Sequence, residues 1–203
     1  MPSINNERRQ LSASVLVDDH LEIDTLTVDL LGALEGDDKL KVFARLDLLW
    51  TRLAVHIRAE HLCLFPSILG ANFVVTGCGL TYQEAKGVID QLRRDHEFFM
   101  RELATSVKSM RQQQDASNNE VVNEQFRKVR SSVVEIQTRL AKHNELEENH
   151  VYKWVNVLLD EAERSVLMAR ITRELEKSPA RLLSDFVNEL ETSEEKNMGD
   201  KDE

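Results

Sequence analysis

The sequence contains few of the residues that interrupt helices, since only 7 glycines and 3 prolines occur among 203 residues. Turn signals are therefore sparse, and long helices are expected. The 2 cysteines, Cys63 and Cys78, are too few for a disulfide framework. No apolar run approaches the roughly 18 residues that cross a bilayer, and the N-terminal residues lack the apolar stretch of a secretion signal. We therefore expect a reducing, cytoplasmic setting and no membrane span.

The sequence also has little positive charge, with a formal net charge of −10. Nucleic-acid backbones and anionic membranes would repel such a protein, so neither is expected as a partner. The length suits a single well-buried core, because 203 residues bury a large share of the surface that the unfolded chain exposes.

Four long segments follow the helical period of apolar residues. The first covers residues 7–34, the second runs from the break at Gly36 to about Phe65, and the others cover 81–110 and 117–159. Thr81 with Glu84, and Ser117 with Glu120, have the spacing of capping boxes at helix starts. The first and third connections are short, which favours antiparallel neighbours. The pattern therefore predicts an all-α protein, an antiparallel up-down-up-down four-helix bundle.

The predicted bundle occupies residues 1–160. Residues 161–191 form a short C-terminal helical extension, with amphipathic stretches at 163–175 and 178–190. The polar and charged residues 192–203 are expected to be a disordered tail.

Each of the four predicted helices carries a histidine on its apolar face, where a bundle core repeats at steps of three and four residues. Two of the helices add a glutamate one turn after the histidine. The polar residues on these faces are His20, His56, Glu60, His96, His143 and Glu147.

These six residues suit a pair of metal ions. An inward glutamate is costly unless it is paired, and two in one core repel each other, so a cation between them removes both problems. Four imidazole nitrogens and two carboxylates are typical of carboxylate-bridged di-metal sites in helical bundles. Iron or manganese suits such donors, and zinc is also compatible. A single inward histidine is more often a hydrogen-bonded core residue, but packing alone does not explain one on each of four helices.

Three further residues lie close to these positions in sequence. His61 follows Glu60 but lies off the apolar face, which favours a surface position or support of a ligand. His150 lies on the face one turn after Glu147, and we interpret it as supporting a ligand or packing in the core rather than binding metal. Cys63 is interpreted as a small apolar filler.

Four segments of the chain form a recognisable set: Val17-Asp-Asp-His20, His56-Ile-Arg-Ala-Glu60-His-Leu-Cys-Leu-Phe-Pro66, Asp95-His96-Glu-Phe-Phe and His143-Asn-Glu-Leu-Glu147-Glu. Together they resemble the hemerythrin-like HHE cation-binding family, over about residues 10–159. The resemblance implies a non-haem centre of two iron ions with oxo and carboxylate bridges. By this resemblance His20 and His56 would bind one iron, His96 and His143 the other, and Glu60 and Glu147 would bridge them.

The chain departs from the invertebrate oxygen carriers of this family at two positions. Those proteins have a second histidine where this sequence has Met100, and an aspartate five residues after the last histidine where this one has Glu147 four after. One imidazole fewer leaves a coordination position open, which argues against reversible oxygen storage. The arrangement is similar to bacterial hemerythrin-like proteins, including those that repair iron centres, although their cysteine-bearing N-terminal domain is missing.

The leading hypothesis is a soluble di-iron protein that binds or senses O2, NO or peroxide, or handles iron. Leu53, Phe99 and Leu140 would limit the access of water. A second hypothesis is a redox enzyme for peroxide decomposition or NO reduction, or an iron-centre repair factor. No general base or substrate pocket can be named, so whether the chain is an enzyme stays open. A third is a metal-dependent interaction module, with residues 161–191 binding a second copy or another protein.

Overall fold

The part of the chain that the structure describes is helical throughout and contains no strand. The structure, a computed structural model, describes residues 4–36, 38–73, 79–112 and 119–177. Two π-helical turns, Glu60–Leu64 and Glu147–Val151, join consecutive α-helices without a break. The predicted all-α class is therefore confirmed. The helices are α1 (Ile4–Ala33), α2 (Lys39–Ala59), α3 (Phe65–Leu69), α4 (Tyr82–Gln112), α5 (Asn119–Leu146), α6 (Tyr152–Leu158) and α7 (Glu161–Leu175).

Capping boxes mark the starts of two of these helices. At the start of α4 the Thr81 hydroxyl accepts from the backbone N–H of Glu84 at 3.2 Å, and the Glu84 carboxylate accepts from that of Thr81 at 2.8 Å. This is the predicted capping box. Asp160 and Glu163 form another, with both bonds at 2.8 Å. This box was not recognised in the sequence, so the predicted start at residue 163 lies two residues after the observed start of α7.

The second helical segment continues past its predicted end at Phe65. The π-helical turn leads directly into α3, which reaches Leu69. Pro66 lies in the first turn of α3, where a missing backbone N–H is tolerated, so it does not stop the helix. The helix ends instead at Gly70, whose N–H bonds to the carbonyl oxygen of Pro66 at 2.9 Å.

Several predictions lie outside the described residues: the cap at Ser117, the stretch 178–190, the tail 192–203 and Cys78. Within the described ranges, no helix is long and apolar enough to cross a membrane.

The long helices pack as a bundle: α1 contacts α2 and α5, and α4 contacts the same two helices. Polar pairs link neighbouring helices at several levels. In these pairs the residue number rises on one helix as it falls on the other. Examples are Asp29 with Arg45, Asp19 with Arg52, Ser109 with Gln125, and Asp95 with Arg139.

Two apolar clusters fill the bundle, one on each side of a polar layer. Ile23 in α1 and Phe99 in α4 belong to the first cluster, whereas Leu16 and Leu92 belong to the second. The predicted polar position His20 falls between the two clusters along α1, as the corresponding positions do on the other long helices.

Helix α7 belongs to the second cluster. Its residues Leu167, Ile171 and Leu175 are buried, and the helix contacts α2 and the π-helical turn Glu60–Leu64. Helix α7 is thus attached to the bundle by apolar packing.

We expect Ile171→Ala to lower the free energy of unfolding by about 2–5 kcal/mol, because it creates a cavity in a fully buried position. Val166→Ala on the same helix is the matched control, since Val166 is 60% exposed and should change that free energy by less than about 0.5 kcal/mol. Urea unfolding of both variants measures the difference. Equal losses would contradict the packing of α7 on the bundle.

Candidate metal centre

The structure brings together all six side chains that the sequence predicts as metal ligands. His20 lies on α1, His56 on α2, His96 on α4 and His143 on α5, and the two glutamates open the two π-helical turns. All six are at most 3% exposed, so they form a polar layer inside the protein. The residues of this layer are His20, His56, Glu60, His96, His143 and Glu147.

The six residues form two overlapping groups, each of a size that can hold one metal ion. Within each group, one potential ligand atom per residue lies within 4.8 Å of all the others. The first group contains His20 and His56, the second contains His96 and His143, and both contain Glu60 and Glu147.

Each carboxylate presents one oxygen to each group. Glu60 has Oε1 at 3.5 Å from Nε2 of His56 and Oε2 at 3.2 Å from Nε2 of His96. Glu147 has Oε2 at 3.2 Å from Nε2 of His20 and Oε1 at 3.2 Å from Nε2 of His143. This is the arrangement that two bridging carboxylates require.

The donor set and its spacing fit metal ions better than a hydrogen-bond network. Glu60 Oε2 and Glu147 Oε1 are buried and have no hydrogen-bond partner among the described residues, although each lies 3.2 Å from an imidazole. Nε2 of His96 and Nε2 of His143 lie 3.0 Å apart. Two ligands on one ion with bonds of about 2.1 Å are separated by roughly 3.0 Å at right angles and 3.4 Å at the tetrahedral angle. The separations of 3.0 and 3.2 Å fall in this range, and the 3.5 Å between His56 and Glu60 lies just above it.

Opposite charges hold the glutamates ionised despite their burial. Burial raises the pKa of Glu60, but the neighbouring imidazoles of His56 and His96 lower it well below its usual value. Burial and the charge of Glu60 raise the pKa of Glu147, yet His143 and His20 leave it lowered. Two ionised carboxylates thus face one buried space.

The pKa values of two of the histidines shift in the opposite direction. Burial lowers the pKa of His56, but Glu60 and Asp19 raise it to about 10. Burial likewise lowers the pKa of His143, while Glu147 and Asp95 raise it to about 9. Without metal, protons on these rings balance the carboxylates. A metal ion must displace them, because imidazole binds metal only when it is neutral.

All four imidazoles have the same orientation, with Nε2 toward the centre and Nδ1 toward an outer partner. Such partners fix the tautomer that leaves the Nε2 lone pair free for metal. The Nδ1 partners are Glu148 for His20 at 3.0 Å, Asp19 for His56 at 2.7 Å and His61 for His96 at 2.9 Å. Nδ1 of His143 faces Asp95 at 3.5 Å without forming a hydrogen bond.

Two of these partners, Asp19 and Asp95, are themselves held by arginines. Asp19 forms an ion pair with Arg52, and Nη2 of Arg139 lies 2.6 Å from Asp95. Burial raises the pKa of Asp95, but the neighbouring His143 and Arg139 lower it to about 2. The sequence analysis did not identify either aspartate as a supporting residue. Their positions directly before His20 and His96 were the available signal.

Tyr152 is a further residue of the centre that was not predicted from the sequence. Its hydroxyl lies 3.1 Å from Nε2 of His20, 3.4 Å from Oε1 of Glu60 and 3.3 Å from Oε2 of Glu147. The π-helical turn bonds the N–H of Tyr152 to the carbonyl of Glu147, five residues back, and so adds one residue to the turn. Burial, followed by the charges of Glu147 and Glu60, raises the pKa of Tyr152 well above its usual value.

The same added residue makes the interpretation of His150 wrong. The helical period predicted His150 on the inward face, but His150 is exposed and its ring lies beside Trp154. Val151 and Tyr152 take the inward positions. His61 is half-buried and supports His96, as one of its two interpretations held, and Cys63 is a buried free thiol.

The comparison with known protein families agrees with this geometry. The model of the hemerythrin HHE cation-binding domain matches residues 11–155. The chain therefore belongs to the hemerythrin HHE cation-binding family. No curated protein and no solved structure matches the chain significantly.

We expect Asp19→Asn to weaken metal binding about 10- to 100-fold, because it removes the charge that orients the imidazole of His56. Asp18→Asn is the control, since Asp18 is the exposed neighbouring aspartate. Competition with a chelator of known affinity measures the change. Equal affinities in the two variants would show that Asp19 does not support the site.

Proposed function

We propose that the protein binds two iron ions and uses them to bind or sense O2, NO or peroxide, or to handle iron. The observation that carries this proposal is the pair of overlapping groups sharing Glu60 and Glu147. Each group offers two imidazole nitrogens and two carboxylate oxygens, a mixture that suits iron. Manganese and zinc are alternative occupants. Bound iron would supply redox-active positions for a small ligand.

The surroundings of the polar layer support a small ligand rather than a large one. Leu53, Phe99 and Leu140 are buried beside it, and the ring of Phe99 meets His143 edge-on at 5.4 Å between centroids. An apolar wall of this kind restricts water and favours uncharged diatomic molecules.

We also propose that the bundle has the up-down-up-down order and occupies residues 1–160. The opposite numbering of the polar pairs that join neighbouring helices supports that order. Residues 161–191 would then be the helical extension, of which α7 is the described part.

Iron-loaded protein should contain about two iron ions per chain, as expected for a carboxylate-bridged di-metal site. Its near-ultraviolet absorption should bleach when dithionite reduces the ferric ions. Metal analysis and spectra before and after reduction test both statements. A protein without metal after anaerobic reconstitution would contradict the proposal.

Two substitutions distinguish the roles of the ligands. Glu147→Ala should lower the iron content more than His56→Ala, because Glu147 belongs to both groups and His56 to one. His150→Ala is the control, since His150 is exposed and outside both groups. Full iron retention in both ligand variants would refute the assignment.

A further inference from the structure

The two halves of the metal centre are built from the same sequence pattern. An Asp-His pair lies on α1 at Asp19-His20 and again on α4 at Asp95-His96. The next helix in each case carries an arginine, a histidine and a glutamate at intervals of four. These residues are Arg52, His56 and Glu60 on one side, and Arg139, His143 and Glu147 on the other.

The contacts of the two halves repeat as well. The aspartate of each Asp-His pair binds the histidine and the arginine of the next helix: Asp19 binds His56 and Arg52, and Asp95 contacts the corresponding pair on α5. A π-helical turn begins at each glutamate. The halves can therefore be compared position by position.

The comparison shows one chemical difference close to the ligands. Phe65 lies five residues after Glu60 and stacks on His96, with 6.0 Å between centroids and 15° between planes. Tyr152 lies five residues after Glu147 and stacks on His20, at 5.8 Å and 25°. The two aromatic rings hold equivalent positions, but only one carries a hydroxyl.

That hydroxyl has the spacing of a metal ligand. It lies 3.1–3.4 Å from three atoms, Nε2 of His20, Oε1 of Glu60 and Oε2 of Glu147. All three residues belong to the first group. Donors bound to one ion are separated by roughly 3.0–3.4 Å, so the Tyr152 oxygen continues the same set. Tyr152 is 3% exposed, so bulk water does not compete for this position.

We propose that the phenol oxygen of Tyr152 is a ligand of the metal ion held by His20 and His56. The inference rests on the proposed di-iron centre. As the oxygen–metal bond forms, the O–H bond breaks and the proton passes to solvent. Without metal, the negative charges of the carboxylates oppose the loss of this proton. Bound cations reverse the sign of the local charge and favour it.

The two ions are then unequal. The ion at His20 and His56 has a phenolate in addition to its imidazoles and carboxylates. The ion at His96 and His143 would have the apolar Phe65 ring at the equivalent place, and this ring offers no ligand atom. The Phe65 side of the centre therefore has one protein ligand fewer than the Tyr152 side.

Optical and resonance Raman spectra of the iron-loaded, oxidised protein test the ligand directly. The chain contains only 2 tyrosines, and the other is the exposed Tyr82. We expect a visible phenolate-to-ferric charge-transfer band, with tyrosinate ring modes on excitation into it. Tyr152→Phe should lose both while keeping its iron, and Tyr82→Phe should keep both. Phe65 shows that this fold already accepts phenylalanine at the equivalent position.

The outcomes separate this inference from the proposed function. Full iron content without a charge-transfer band in the wild-type protein, or a band that persists in Tyr152→Phe, would refute the tyrosine ligand and leave the di-iron centre intact. No bound iron in the wild-type protein would overturn both. Ring-deuterated tyrosine in Tyr82→Phe labels Tyr152 alone, so the expected Raman shift does not depend on the folding of Tyr152→Phe.

Discussion

The architecture depends on the burial of two ionised carboxylates, Glu60 and Glu147, in one space between two apolar clusters. A buried carboxylate is unstable without opposite charge, and two that face each other raise the cost further. His56 and His143 supply that charge as bound protons, and metal ions can replace those protons. The outer aspartates and arginines keep the imidazoles in the orientation that either role requires.

Sequence periodicity predicted the all-α class and the residues of the polar layer, because the helices are regular up to each glutamate. His56 and His143 fall on inward faces at the expected steps of three and four residues. Beyond Glu147 the same period wrongly placed His150 on the inward face and did not predict that Tyr152 lies there. The apolar pattern does not reveal the residue that a π-helical turn adds, since the hydrogen bonds of the turn define it.

The supporting residues were harder to predict for a different reason. Asp19 precedes His20 in sequence but binds His56 on the neighbouring helix, so its role depends on the packing of α1 against α2. The same holds for Asp95 and His143. The arginine–histidine–glutamate spacing occurs twice in the sequence. Its role could not be predicted, because it depends on the ion pairs that Arg52 and Arg139 form with the two aspartates in the folded protein.

Because a π-helical turn lies between each glutamate and the aromatic ring that follows, the position of the ring can change while the ligands stay in place. Each turn begins at a glutamate and ends before the ring that stacks on a histidine. Loss of one residue within a turn would restore a regular α-helix and rotate all that follows by about 100°. Phe65 or Tyr152 would then leave its histidine, while the preceding histidine and glutamate kept their places. A single-residue change in length can therefore alter the environment of one metal position without exchanging any of the six predicted ligands.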